Sequence, residues 1–208
     1  MPIVKNREYR NMAALMQPLT DSNRKYFDTD YYVEGYATTF DVPYLLYEYD
    51  GVKYYECIAH DALDGADLSD VIMQFDHAGK VFARTSNNTL ALIPDAHGLR
   101  ACADLSKSAG AKELHAEIDA KLVTKMSWAF TIEEESYNNK THTRTITKIK
   151  KVYDVSAVSY PANQDTEIAA RSFCDGVIAE EKRESLLRRI KTNKILEKIG
   201  GNKSNENK

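Results

Sequence analysis

Three short segments carry residues whose types could perform nucleophilic chemistry. Gln74–His77 ends an apolar run with a histidine, and Lys125–Phe130 sets Ser127 within a hydrophobic run. Asp154 is an acid at the start of an otherwise apolar strand. A serine nucleophile needs a base within hydrogen-bond reach, and the base needs an acceptor that fixes its tautomer. Ser127, His77 and Asp154 meet this requirement if they lie on neighbouring strands, in whatever chain order.

Residue type alone also allows structural roles for each of the three. His77 could be a satisfied core histidine, Ser127 a small inward residue, and Asp154 the cap of a turn. The sequence contains no GxGxxG, GxxxxGK[ST], HExxH or GxSxG motif. The five histidines are not paired with each other or with cysteines at metal-ligand spacing. We therefore expect no metal and no cofactor, and the missing GxSxG motif disfavours an esterase of small substrates.

Composition predicts a globular protein of one domain plus appendages. The chain has 208 residues, 43% of them hydrophobic and 28% charged, with a net charge of -3. No apolar run is long enough for a membrane span, and the N-terminus has no apolar region typical of a secretory signal. The three widely spaced cysteines, Cys57, Cys102 and Cys174, predict buried thiols in a reducing compartment rather than disulfides.

Charge separates a basic tail from an acidic body. Residues 182–208 contain nine Lys/Arg and three Asp/Glu, a net of +6, whereas the other 19 basic and 28 acidic residues give -9. The sequence predicts an N-terminal extension over residues 1–30, a folded domain over 31–175, and a basic helical tail over 176–208 with a disordered end. The extension includes a short helical candidate around Met12–Met16.

Hydrophobic periodicity predicts the elements that must position the three residues. Two aromatic-rich runs around Asp50-Gly51 indicate a β-hairpin, and the spacing over Ala109–Leu122 indicates one amphipathic helix. Period two over Thr124–Ile132 indicates a strand with the large side chains on the face opposite Ser127. A charged helix is expected over Val177–Ile199. The predicted fold class is α+β, mostly antiparallel β, with a helical C-terminal tail.

Several short motifs together resemble one family. They begin with Glu34-Gly35-Tyr36-Ala37, the run Val71 to His77, and Ala83-Arg84-Thr85 through Leu90. They continue with Asp95 through Leu99, Met126-Ser127-Trp128-Ala129-Phe130, and Asp154 through Asn163, closing on Arg171-Ser172. With these motifs in this order, the sequence from about Glu34 to Phe173 resembles the prohead (capsid maturation) serine proteases of tailed double-stranded DNA bacteriophages.

The resemblance implies a serine endopeptidase with a β-barrel like that of the herpesvirus assemblins, flanked by helices. Ser127 matches the family's nucleophile, His77 its base, and Asp154 the position of the acid, which is often a glutamate. Assemblins use a second histidine as third member, so His142 and His115 stay open for that role. Asp76 and Ala78 beside His77, and Ala129 in place of a frequent glycine, depart from the family's pattern. Arg84 and Arg171 are candidates for the oxyanion hole.

The resemblance also implies partners and a location. Such a protease cleaves scaffold, or the scaffolding segment of the major capsid protein, and itself, inside the phage procapsid in the bacterial cytoplasm. The basic helix could dock on an acidic scaffold segment, be removed by self-cleavage, or pack on the body. Self-association stays open, and the acidic body disfavours nucleic acid as a partner. The alternative is a catalytically inactive assembly protein on the same fold.

Overall fold

A computed structural model describes residues 7–15, 17–18, 26–159 and 164–201. In this part of the chain the protein is α+β, mostly strands with two helices. The strands are β1 (Glu8–Leu15), β2 (Gln17–Pro18), β3 (Tyr32–Thr39), β4 (Tyr44–Tyr49), β5 (Val52–Ile58), β6 (Ile72–Phe75), β7 (Ala78–Arg84), β8 (Leu90–Pro94), β9 (Gly98–Asp104), β10 (Lys125–Asn138) and β11 (Thr143–Val158). The helices are α1 (Ala109–Asp119) and α2 (Gln164–Gly201). The end predicted to be disordered, 202–208, lies outside the described residues.

The strands form two sheets. The seven-stranded sheet has the order β1-β10-β11-β5-β4, and the β6–β7 hairpin joins it through β6. The long strand β11 pairs with β10 along one edge, while its other edge pairs in parallel first with β5 and then with β6. The four-stranded sheet has the order β2-β3-β9-β8. Strands β10 and β11 are therefore the centre of the larger sheet.

The prediction of a closed β-barrel is wrong, because the described strands form two sheets that do not close into a barrel. Between β7 and β8 the chain makes a 3-10 turn, Thr85–Asn87, that ends at Asn88 in the left-handed conformation. After this turn β8 pairs with β9 in the other sheet, and no ladder joins β7 to β8 among the described residues. The sequence pattern identified these strands but not the sheet that each one joins, because pairing partners depend on long-range contacts.

Most of the predicted elements are confirmed. Asp50 and Gly51 both have positive φ, as a two-residue type I′ hairpin requires. Ser108 begins α1 by accepting a hydrogen bond from the backbone N–H of Ala111, and the helix buries Ala111, Leu114 and Ile118 of its predicted apolar stripe. The helix ends at Asp119 rather than Leu122, and the Leu122 side chain is exposed, so that part of the prediction is wrong. The helix predicted around Met12–Met16 is wrong, because residues 8–15 form a strand against β10. Tertiary pairing outweighs the weak helical preference of this segment.

The C-terminal helix is longer than predicted. It begins at Gln164 rather than near Val177. The chain divides into two compact units, residues 1–169 and 170–208, so most of α2 belongs to the second unit. Exposed ion pairs along the helix join Glu180 to Arg183 and Glu184 to Arg188. Neither described helix has the length and apolar character needed to cross a membrane.

Both faces of β10 are buried at the strand's first half. Met126, Trp128 and Phe130 lie in the hydrophobic core, where the Trp128 and Phe130 rings stack with their centroids 4.1 Å apart. This confirms the face predicted from period two. Cys57 and Cys102 are buried free thiols, as predicted, and burial raises the pKa of each thiol. The side chain of Cys174 lies outside the described residues.

A buried ion cluster centres on the Glu56 carboxylate of β5. Arg10 donates to it through Nε at 2.5 Å and Nη2 at 2.8 Å, and Arg144 through Nη1 at 3.2 Å. The Tyr44 hydroxyl donates to the same carboxylate. Burial alone would raise the pKa of Glu56, but the Arg10 and Arg144 charges outweigh it and lower the pKa. Glu56 is therefore ionised, and it ties β1, β4, β5 and β11 together.

Replacing Glu56 by glutamine tests this cluster. The change removes the fully buried carboxylate that Arg10 and Arg144 share and leaves beside them only the less buried Glu8 and Glu135. We therefore expect the free energy of unfolding to fall by about 3–5 kcal/mol at pH 7. Because the pKa of Glu56 is lowered on folding, its stabilisation is present above the ordinary value of 4.5 and is lost as the pH falls through the folded-state value. Urea unfolding should therefore show that the difference in stability between the wild type and Glu56→Gln is constant above pH 4.5 and decreases as the pH falls through the folded-state pKa of Glu56.

The matched control is Glu135→Gln, which removes an exposed carboxylate that pairs with Arg144 at the edge of the cluster. A smaller loss of stability is expected there, because water can partly replace the pairing of an exposed group. Equal losses for the two variants would contradict a central role for Glu56.

Candidate active site

Ser127 lies on β10 between two neighbouring strands. It is paired across β10–β11 with Ser156 and across β1–β10 with Asn11. Its side chain lies on the face opposite Trp128 and is fully buried, with 0% of its surface exposed. The alternation of large apolar and small residues in this strand fixes which way the hydroxyl points.

His77 occupies a tight turn between β6 and β7. Asp76 and His77 have φ values of 46° and 55°, which matches a two-residue turn with both central residues left-handed. The Asp76 carboxylate accepts hydrogen bonds from the Ser159 backbone N–H at 3.0 Å and from its hydroxyl at 2.8 Å. Since Ser159 directly follows β11, Asp76 ties the histidine turn to the end of that strand. This gives the unusual flank of His77 a structural role.

Asp154 reaches the site from β11, beside a β-bulge. It pairs with Ala129, whereas the next pair along the ladder joins Phe130 to Val152, so Tyr153 is an extra residue on β11. Bulges of this kind redirect neighbouring side chains and are common beside active sites. The bulge lets Asp154 share the face of Ser127 while Val152 faces the core.

The three side chains form one continuous chain of hydrogen bonds. Nδ1 of His77 lies 2.5 Å from Oδ1 of Asp154, and Nε2 of His77 lies 2.5 Å from Oγ of Ser127. His77 and Asp154 are also buried, at 7% and 4% exposed. The order hydroxyl, imidazole, carboxylate can transfer a proton from the serine to the histidine and stabilise the resulting imidazolium.

Ser156 completes the surroundings of the acid. Its buried hydroxyl donates a hydrogen bond of 2.8 Å to Oδ1 of Asp154, the same oxygen that faces His77. Sequence analysis did not single out Ser156. The signal was present, because residues two apart on a strand share a face and Ser156 follows Asp154 by two.

Strand β1 covers this arrangement. The Tyr9 ring packs edge-on against the His77 ring, with centroids 4.9 Å apart, and the Ser127 hydroxyl donates to the Arg10 carbonyl oxygen at 3.0 Å. A groove of about 380 Å³ beside β1 is lined by His77 and Asp154, but Ser127 is not among the described residues that line it. Neither contact is predicted from the sequence, where this segment has the character of an N-terminal extension.

The other residues considered from the sequence lie elsewhere. His142 lies in the turn at the far end of the β10–β11 hairpin, against Tyr137 and Tyr54. His115 lies on α1, with its ring against Tyr31. Asp154 is thus the group that the structure places beside His77.

The structure describes the side chain of one of the two arginines considered for the oxyanion hole. Arg84 lines the groove and pairs with Asp70 at 3.4 Å. The side chain of Arg171 lies outside the described residues. Within the described part of the chain, no group of three or more His, Cys, Asp or Glu side chains is arranged to hold a metal ion.

A serine, a histidine and an aspartate joined in this order are the arrangement that serine hydrolases use. A family model of caudovirus prohead serine proteases matches residues 20–196, so the chain belongs to that family, and the resemblance found in the sequence is confirmed. Membership indicates a serine protease with a role in capsid maturation. No curated protein and no solved structure matched the chain, so the likeness to the assemblin fold stays a prediction.

The histidine turn provides a test of how the site is positioned. Asp76→Ala removes two hydrogen bonds to Ser159 and puts alanine in a left-handed conformation, so we expect a loss of about 1–2 kcal/mol in the free energy of unfolding. Asp76→Asn tolerates that conformation and keeps one acceptor, so it should lose less than half as much. Urea unfolding of both variants measures this, and an alanine variant as stable as the wild type would contradict the assigned role.

Proposed function

We propose that this chain is a serine endopeptidase in which Ser127 is the nucleophile, His77 the general base and Asp154 the orienting acid. Its substrate is scaffold protein, or the scaffolding segment of the major capsid protein, within the procapsid in the bacterial cytoplasm. The observation that carries the proposal is the continuous hydrogen-bond chain from Ser127 through His77 to Asp154. Family membership supplies the class of reaction.

The reaction follows from the order of these groups. Oγ of Ser127 attacks the carbonyl carbon of the scissile bond while Nε2 of His77 takes the hydroxyl proton. Asp154 accepts a hydrogen bond from Nδ1–H and stabilises the imidazolium. The tetrahedral intermediate then collapses: the C–N bond breaks, and His77 gives its proton to the leaving amine. Water attacks the acyl-enzyme by the same route and releases Ser127.

Ser156 acts in this scheme as a positioning residue. Its hydroxyl donates to the carboxylate oxygen that faces His77, so it holds that oxygen in place and stabilises its negative charge. An acid fixed in this way can hold the imidazole with Nε2 directed at Ser127. Aspartate in place of the family's frequent glutamate therefore still reaches the histidine, at 2.5 Å.

The basic tail supports a partner of opposite charge. The described part of α2 exposes several apolar side chains between its cationic residues, namely Leu186, Leu187, Ile190 and Ile195. An exposed helix that combines lysines, arginines and apolar side chains fits an acidic helical segment of scaffold. We propose that the tail docks on this segment and that the protease cleaves its own chain. The proposed protease domain covers residues 31–175, and the tail covers residues 176–208.

A catalytically inactive assembly protein on the same fold is the second candidate. One observation favours it, namely the complete burial of the Ser127 hydroxyl under β1. An enzyme requires that this cover be displaced, whereas an assembly protein does not. The two candidates therefore differ in whether Ser127 ever reacts.

Co-expression with the major capsid protein of the same phage separates the candidates. We expect the wild type to shorten the capsid protein or its own chain, and Ser127→Ala to lose about 10⁴–10⁶ in rate and leave both chains intact. Intact mass spectrometry of both chains is the readout. The matched control is Ser156→Ala, which removes the neighbouring buried hydroxyl and should retain cleavage at a rate lowered about tenfold. Intact chains in the wild type, with both proteins assembled, would favour the assembly protein.

The third member of the triad has its own test. Asp154→Asn should lower the rate by about 10⁴, less than the loss for His77→Ala, because the nucleophile and base remain. His142→Ala and His115→Ala should cleave at the wild-type rate, since neither side chain contacts His77. The same co-expression, sampled over time, measures all four variants. A loss of cleavage in either histidine variant, with Asp154→Asn unaffected, would reassign the third role.

A further inference from the structure

Strand β1 separates the nucleophile from solvent. It pairs antiparallel with the first half of β10, from Lys125 to Phe130, and that half carries Ser127. The Ser127 hydroxyl contacts a backbone carbonyl of β1, and Tyr9 of β1 packs on the ring of His77. His77 and Asp154 face the groove beside β1, whereas Ser127 does not. β1 therefore shields Ser127 from the groove, which His77 and Asp154 still line.

The strand that forms this cover lies outside the family match. The matched range begins at residue 20, and β1 ends at Leu15. Ser127, His77 and Asp154 all lie inside the matched range. The match therefore includes the three candidate catalytic residues and does not extend to β1.

The course of β1 resembles that of a bound peptide. It is an extended segment added to the edge of β10, which is the way a peptide binds by strand addition: main-chain hydrogen bonds supply affinity, and alternate side chains supply specificity. Asn11 lies opposite Ser127 in the register, and the carbonyl oxygen of Arg10 is 3.0 Å from Oγ. A backbone carbonyl of an extended peptide beside the nucleophile is also what a protease substrate must present.

We propose that β1 occupies the site where the substrate binds, so that the β10 edge from Lys125 to Phe130 is the docking surface for an extended segment of the substrate polypeptide. The full chain is then latent until β1 is displaced or removed. This proposal rests on the proposed function, because it identifies how that site receives and excludes its substrate.

The contact with Arg10 also explains latency chemically. A serine hydroxyl has one proton, which it cannot donate both to the Arg10 carbonyl and to Nε2 of His77. While it is donated to Arg10, the proton is not directed at the base that must remove it. The contact is made through the carbonyl oxygen, whereas attack requires Oγ to face the carbonyl carbon. β1 therefore holds the nucleophile in an unreactive arrangement.

The side chain of Arg10 anchors the cover. It is 2% exposed and makes two hydrogen bonds to Glu56, which is 0% exposed. Bidentate pairs of this kind are strong and directional, and lysine does not reproduce them. Without Arg10, Glu56 still pairs with Arg144 and Tyr44, so its charge is not left alone in the core. Arg10 can thus be changed to release β1 while the partners of Glu56 on the remaining strands persist.

Covalent labelling of the full chain by a fluorophosphonate measures how often Ser127 is accessible and activated. We expect slow labelling of the wild type and labelling about 10–100-fold faster in Arg10→Ala, because loss of a charge-assisted pair increases the open population by that factor. Arg10→Lys should be intermediate. Glu135→Gln disturbs the same cluster without touching Arg10 and should label at the wild-type rate. Peptide mass mapping must place the label on Ser127.

A peptide with the sequence of β1, EYRNMAAL, provides the second measurement. Added to Arg10→Ala, it should restore slow labelling by filling the vacated edge of β10. The matched peptide EYANMAAL lacks the arginine that reaches Glu56 and should have little effect. Hydrogen exchange should show that Arg10→Ala loses protection in β1 and keeps it in β5 and β11. This readout identifies an open, folded chain.

Each outcome decides between the two proposals. Equal labelling of Ser127 in the wild type and in Arg10→Ala would overturn the inference about β1 and leave the protease intact. Faster labelling in Glu135→Gln as well would attribute the effect to general loosening and would also overturn it. Absence of labelling in every variant, with β1 shown to be open by hydrogen exchange, would overturn the proposed function and with it this inference.

Discussion

The antiparallel pairing of β10 with β11 is the constraint on which the rest of the structure depends. Its register sets Ser127 opposite Ser156 and Ala129 opposite Asp154, so Ser127 and Asp154 share one face. The free edge of β11 then receives β6, whose turn carries His77. The free edge of β10 receives β1, which covers the serine. A slip of one residue in this pairing would turn Asp154 toward the core and break the hydrogen-bond chain.

Burial strengthens the hydrogen bonds of the candidate site and also limits access to it. A buried hydroxyl, imidazole and carboxylate interact strongly because little water competes with them, and each must find a partner. Asp154 finds His77 and Ser156, and the Ser127 hydroxyl finds the Arg10 carbonyl. The same burial that orders these side chains keeps the Ser127 hydroxyl away from solvent. The Glu56 cluster extends this logic, since it fastens β1 to the strands behind it with charges that are costly to separate.

Local chemistry made much of the fold predictable. The Asp50-Gly51 hairpin, the amphipathic stripe of α1 and the alternation in β10 all depend on residues close together in sequence. The hairpin and the alternation are confirmed, and so is the stripe except for Leu122, which lies beyond the end of the helix. The helix expected around Met12–Met16 failed because that segment pairs with β10, more than a hundred residues away. The closed barrel failed for a related reason: alternation reveals that a segment is a strand and leaves open which edge it joins.

For the site, residue types and short motifs were enough to identify the candidate residues and the class of chemistry. Tertiary structure decided which candidates meet. It put Asp154 next to His77 and left His142 and His115 at distant places, since register and the bulge at Tyr153 set those distances. It also decided that Ser156 supports the acid and that β1 covers the serine. These contacts join segments far apart in the chain, and only the folded sheet brings them within hydrogen-bond reach.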